Sequence, residues 1–150
     1  MEIKVKVYQD LAIDELYAMM ALRAAVFVVE QNCVYQDLDY KDQKALHVMG
    51  WINGKLVAYT RLFGPGDYFD QASIGRVIVS MDQRGHNYGH QIMSASINAI
   101  TQHYKTDRID ISAQTYLEQF YTAHGFLPSG EEYLEDGIPH IKMIKTGNNP

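Results

Sequence analysis

The chain is poor in the residues that build covalent or metal-held frameworks. Cys33 is the only cysteine among 150 residues, which excludes an internal disulfide and a cysteine-based zinc cluster. For Cys33 itself a catalytic thiol stays open beside a plainer reading, a half-buried bystander. Basic blocks are missing too. Thirteen Lys and Arg against 18 Asp and Glu leave a net charge of −5, and no cluster of positive residues offers nucleic acid a footprint. An acidic surface favours a cationic small molecule instead. No apolar run approaches the roughly 18 residues of a membrane span. The N-terminal MEIKVKVYQD lacks the apolar stretch of a signal peptide, so the expectation is a cytoplasmic protein with no membrane partner. Prolines number only four, and no repeat, low-complexity linker or composition break divides the chain. The length suits one domain, 1–150, with a real core.

What is present is periodic. IKVKVY (Ile3–Tyr8) alternates as a strand does, and Asp14 to about Glu30 turns helical. Met19, Leu22, Val26 and Val29 recur at three- and four-residue steps and are expected in the core; Arg23, Phe27 and Glu30 form a neighbouring stripe. A polar loop with Asp37, Asp39 and Asp42 follows. HVMGWI (His47–Ile52) and KLVAYTRLF (Lys55–Phe63) flank Asn53-Gly54. A two-residue Asn-Gly link marks a hairpin, because both turn positions need positive φ. After a loop over Phe63–Gln71, SIGRVIVSM (Ser73–Met81) adds a third strand to the meander. Gly89 to about Tyr104 reads as helix with Ile92, Met93, Ser96, Ile97 and Ile100 inward. RIDISAQ (Arg108–Gln114) is a strand, and Tyr116–His124 a helix stopped by Gly125. EEYLEDG and IPHIKMIK form a last antiparallel pair. The order β-α-β-β-β-α-β-α-β-β predicts a three-layer α/β domain around a mixed central sheet with flanking helices.

The chemistry-bearing stretch is QRGHNYGHQIM (Gln83–Met93), between an apolar strand and an amphipathic helix. It is neither G-x-G-x-x-G nor G-x-x-x-x-G-K-[ST]. A helix N-terminus nonetheless offers unpaired N–H groups to an anion, and successive turn N–H groups can add a nest. Arg84-Gly85-His86-Asn87-Tyr88-Gly89 resembles the pyrophosphate-binding signature [Q/R]-x-x-G-x-[G/A] of the GNAT family of acetyl-CoA-dependent N-acetyltransferases. Arg84 fits its first position and Gly89 its last. Asn87 stands where the middle glycine usually is, and Asn is the non-glycine residue best suited to left-handed backbone. Downstream the family often carries an Asn, a Tyr seven residues later and a Gly-Phe pair. Here Gln114 precedes Tyr121 by seven, and Gly125-Phe126 closes the segment. LRAAVFVVEQNCVYQDLD, IGRVIVS and EDGIPHI are similar to the ElaA-like branch of that family.

The resemblance implies a GNAT-like acyl-CoA N-acyltransferase fold. It places acetyl-CoA, as co-substrate, in a wedge between the third meander strand and the next one. Backbone groups of Val77, Ile78 and Val79 would align pantetheine and polarise the thioester. The backbone of Arg84–His90 would hold pyrophosphate, with His86 and His90 beside it, and Gln114 would bind pantetheine or support the wedge. A neutral amine would attack directly, and Tyr121 would protonate the leaving thiolate; its plainer reading is a core tyrosine. Glu30, His47, Glu135, Asp136 and His140 are candidate bases. Arg23, Arg61 and Arg76 need anionic partners. They form either a structural ion-pair network with the nearby acids or, with Phe27, a pocket for a carboxylate-bearing or polar acceptor. His86 and His90 lack the HExxH glutamate, and no metal is expected. Two rivals remain. Arg23-x-x-Val26-Phe27 with Arg61 and the acidic loop is reminiscent of acyl-homoserine-lactone synthases. A non-catalytic CoA-binding or partner-binding module is the other. Exposed strand edges would also suit a homodimer.

Overall fold

The computed structural model describes residues 1–147; the end of the domain expected over 1–150 lies outside the described residues. Strand β1 (Glu2–Val7) leads to helix α1 (Ile13–Arg23), which runs on as a wider helical turn over Ala24–Glu30. Strands β2 (Leu46–Ile52), β3 (Lys55–Phe63) and β4 (Ala72–Val79) form the meander. Helix α2 (Tyr88–Tyr104), strand β5 (Ile109–Gln114), helix α3 (Glu118–Thr122) and strands β6 (Leu127–Glu135) and β7 (Ile138–Lys145) complete the order. One seven-stranded sheet runs β1-β2-β3-β4-β5-β7-β6, with β4–β5 its parallel pair and the other pairs antiparallel.

The alternation of the strands sets the layers. On one face Val48, Ala58, Leu62, Ile74, Ile109 and Ile111 pack against Ile92, Met93 and Ile100 of α2. On the other, Met49, Tyr59 and Ile78 pack against Met19, Leu22 and Val26. Strands covered on both faces are buried at nearly every position, as β2 and β3 are. Ser96 is inward as expected and donates to the Ile92 carbonyl at 2.7 Å, with the Thr60 hydroxyl 2.5 Å away. Ile97 is only half-buried. Asn53 and Gly54 adopt φ of 49° and 79°, the paired positive values of the expected hairpin turn.

Two helical expectations are corrected. The segment to Glu30 is not one regular helix, and Val29 is 75% exposed rather than core. Gln31 N–H donates to the Val26 carbonyl and Cys33 N–H to Val28, five residues back, at 3.1 Å each. The widened turn changes the helical phase after Val26, so the 3.6-residue stripe ends there. The span Tyr116–His124 is a tight turn at Thr115–Leu117 followed by the short α3. Gly125, at φ 91°, ends it as expected.

Candidate active site

Strands β4 and β5 pair only through Ala72–Ile109 and Ser73–Asp110, then diverge. A cavity of about 810 Å³ fills the gap and reaches from the start of α2 to the α1 side of the sheet. A bulge shapes its β4 wall: Tyr59 pairs with Ile78 and Arg61 with Gly75, so Thr60 faces both Arg76 and Val77. Arg76 takes φ of 51°, a left-handed value rare for a non-glycine strand residue. Val77, Ile78 and Val79 line the wedge beyond it, and Gln114 lines the β5 side with Gln31 3.5 Å from its amide nitrogen.

The loop after β4 turns through Gly85, at φ 88°, and Asn87, at φ 67° and ψ 15°. Asn87 thus supplies the left-handed step at the residue before α2. Arg84, Gly85, Asn87, Tyr88, Gly89 and His90 all line the cavity, whereas His86 points outside it, beside Tyr88. A Cβ on Gly89 would lie 3.4 Å from the Phe120 ring, the tightest contact at that position. Because Asn87 already holds the conformation glycine prefers, Asn87→Gly should change stability by less than about 1 kcal/mol. Asn87→Val should cost about 1–2 kcal/mol; urea denaturation of both variants measures the difference.

Arg84 donates two hydrogen bonds to the Glu30 carboxylate, at 2.7 and 2.8 Å, and one to the Val79 carbonyl at 3.1 Å. The widened turn after α1 is therefore tied to the loop, and Glu30 is engaged rather than free. Nδ1 of His90 lies 2.8 Å from Nε2 of His124. Burial, then the neighbouring His90 and Lys145, push the His124 pKa down.

Tyr121 lines the same cavity and is 6% exposed. Its ring meets Phe120 and Phe126 edge-on. Its carbonyl accepts from the His124 and Phe126 N–H groups, so the Gly125 turn fixes its place. Burial pushes its phenol pKa up, which keeps it protonated at neutral pH.

The acceptor-side residues separate into two groups. Phe27, Glu30, Arg61, Arg76, Glu135, Asp136 and His140 line the cavity; Arg23 and His47 do not. His47 is fully buried, with Nε2–H donating to the Asp42 carbonyl at 2.9 Å and Nδ1 2.6 Å from the Tyr59 hydroxyl. Burial pushes its pKa down. It has no path to a substrate, which corrects its assignment as a candidate base. Arg23 is also fully buried, donating to Asp37 at 2.8 Å and Asp42 at 2.7 Å. Arg61 donates to both oxygens of Asp39 and to Asp42 within 2.9 Å, and Arg76 to Asp37 at 2.7 Å. Three arginines and three aspartates neutralise one another, so the ion-pair reading holds for Arg23, and no net positive pocket awaits a carboxylate. His140 donates through Nδ1–H to the Ile138 carbonyl at 2.7 Å, and its Nε2 lies 3.3 Å from Glu135.

Two features of the cavity carry no strong sequence signature: the Arg76 bulge and the aromatic end wall, where Phe63 stacks on Tyr68 at 4.9 Å and Tyr68 meets Phe69 at 4.8 Å. Gly75 beside a charged residue inside a strand pattern was the available signal for the bulge. Cys33 is half-buried at the cavity wall, its Sγ 3.7 Å from the Asp136 carbonyl. Among the described residues there is no group of three or more potential metal ligands, and no helix long and apolar enough to cross a membrane.

A splayed parallel pair, a bulged strand and a left-handed turn into a helix, all on one cavity, define an acyl-CoA N-acyltransferase fold. Residues 6–147 match the family described as acetyltransferase (GNAT) domain, and the chain belongs to it. Within that family it is similar to protein ElaA of Escherichia coli K12, 45% identical over 140 residues that cover 92% of each chain. The crystal structure of E. coli ElaA superposes with a TM-score of 0.90, 43% identical, over 96% of this chain and 98% of that one. An acyl-CoA N-acyltransferase from Pseudomonas aeruginosa gives 0.91 and 40%, over 97% and 100%. A CoA-dependent acyl-homoserine lactone synthase shares the fold at a TM-score of 0.76 and 17% identity, over 95% and 81%.

Proposed function

We propose that the protein transfers the acetyl group of acetyl-CoA to a primary amine by direct attack. The observation that carries this reading is the single cavity joining the left-handed Asn87 turn, the β4–β5 wedge and the buried Tyr121. Pyrophosphate is held by the backbone of Arg84–His90, where the N-terminus of α2 favours an anion. Pantetheine lies along Val77–Val79, with Gln114 opposite. A β4 backbone N–H polarises the thioester carbonyl where negative charge develops. The amine nitrogen bonds to the carbonyl carbon, the C–S bond breaks, and Tyr121 donates a proton to the departing sulfur. The ammonium proton leaves toward Glu135, directly or through water, with His140 behind that carboxylate.

The first test is the thermal midpoint with and without millimolar acetyl-CoA, with Gly89→Glu as control. Ligand at about 100 times its dissociation constant stabilises the fold by about 2.7 kcal/mol. The expected result is a clear upward shift that the control loses, followed by CoA release in an amine panel. No shift in the wild type defeats the reading. A shift with no acceptor in a broad panel favours a CoA-binding module instead.

A further inference from the structure

We propose that Asp37 is a positioning residue for acyl transfer: it holds Arg76 in the left-handed conformation that creates the β4 bulge, and the bulge aims the Val77–Ile78 backbone at the thioester. The inference rests on the donor placement proposed above.

Arg76 pays for its backbone conformation. A non-glycine residue at φ 51° is disfavoured, because its Cβ crowds the following carbonyl oxygen. The hold comes from the loop after α1. Asp37 accepts from Arg76 Nε through Oδ1 at 2.7 Å and from Arg76 Nη2 through its backbone carbonyl at 3.1 Å. Asp37 is itself fixed, accepting from the Tyr35 hydroxyl at 2.8 Å and from Arg23 at 2.8 Å and 3.0 Å. The Phe27 and Tyr35 rings flank the Arg76 guanidinium at 6.0 and 5.8 Å. The side chain is thereby clamped on the α1 side of the sheet.

The consequence lies on the other side of the bulge. One extra residue reverses the facing of everything after it in a strand. Ile74, Val77 and Val79 all pack on the α2 cluster, while Ile78 packs on the α1 cluster. Three residues from Ile74 to Val77 return to the same face only because of the bulge. Without it, the peptide groups that face the β5 side of the wedge would exchange with those that face β3. The loop over Tyr35–Asp39 thus contributes to donor polarisation without touching acetyl-CoA, and the arginine–aspartate network acquires a role besides stability.

The test separates conformation from charge. Glycine adopts positive φ without a clamp, so Arg76→Gly on an Asp37→Asn background should restore what Asp37→Asn removes. For Asp37→Asn the expected loss in kcat is about 10- to 100-fold, at or below the roughly 10²- to 10³-fold cost of a removed oxyanion donor because the donor is displaced and not deleted, with the KM for acetyl-CoA changed less than about threefold. The carbonyl stretch of bound [1-13C]acetyl-CoA should shift back toward its value in water, and the double variant should recover both rate and band. Arg76→Val and Arg76→Gly provide a pair that leaves the Arg23–Asp37 contact in place. The glycine variant should keep at least tenfold more activity than the valine variant. The 15N–1H resonances of Val77 and Ile78 report the bulge without ligand: they should move in Asp37→Asn and return in the double variant. Unmoved resonances, or a folded double variant as slow as Asp37→Asn, would overturn the inference. A wild type that binds no acetyl-CoA strikes the donor reading instead, and the resonances still decide the bulge.

Discussion

Tyr121→Phe should slow acetyl transfer by about 10²- to 10⁴-fold, the usual scale for a lost proton donor, while acetyl-CoA affinity stays within about twofold. The substitution removes one oxygen and leaves the ring that packs edge-on against Phe120 and Phe126. The tertiary contacts that place residue 121 use its carbonyl and its ring, so the fold has little reason to change. Burial raises the phenol pKa, which would make it a poorer acid in isolation. A thiolate placed beside the buried phenol would be desolvated too, so burial raises both partners and need not oppose the transfer. Steady-state kinetics with a saturating amine, together with direct titration of acetyl-CoA, checks the prediction. Equal turnover by the variant removes Tyr121 from the chemistry and returns it to the core.

Arg23→Ala should destabilise the protein by about 3–5 kcal/mol, the cost of leaving buried charges without a partner. For a chain of this size the thermal midpoint would fall by on the order of 10 °C. Arg23 is fully buried and binds two carboxylates, so its removal leaves Asp37 and Asp42 with one arginine fewer. The same network sets the acid limit. Burial would raise the pKa of Asp39, but its hydrogen bonds and ion pair with Arg61 win and hold it at about 2. Asp42 is also lowered, against its burial, by Arg23 and Arg61. An aspartate titrates near roughly 3.9 in an unfolded chain. The folded values are the lower ones, so this stabilisation is complete above about pH 4 and is lost as pH falls toward 2. Urea titrations at pH 7, 4 and 3 should give a falling midpoint for the wild type, and Arg61→Met should flatten the acid limb. A midpoint independent of pH in the wild type would contradict the network's role.

Local patterns carried much of the site. Asn87 announces its left-handed turn because a short polar side chain tolerates positive φ, a property of that residue and its neighbours. The hairpin at Asn53-Gly54 and the stop at Gly125 were legible for the same reason. Asp136-Gly137, at φ 51° and 77°, is a hairpin turn of the same kind, and the dipeptide alone would have fixed the register of Glu135 opposite Ile138. The roles offered for His47 and Arg23 show the limit. Each was recognisable as a polar group in an apolar pattern, but nothing nearby in sequence says which side of the sheet it meets. His47 reaches Tyr59 across the neighbouring strand, and Arg23 reaches Asp37 and Asp42 on a loop that has no periodicity to read.

By itself, then, the sequence determined the order of the elements, the two covered faces of the sheet and the turn that opens α2, because periodicity and backbone preference act over a few residues. Tertiary structure alone decided the wedge, the bulge and the pairing of charges. The wedge exists because β4 and β5 share only two residue pairs, and the bulge because Asp37 grips Arg76 from 39 positions away. Val29 lies outside the core for a related reason: the five-residue hydrogen bonds after Val26 change the helical phase that the apolar spacing continues. Such contacts join residues far apart in the chain, and their geometry is fixed only when the sheet closes around them.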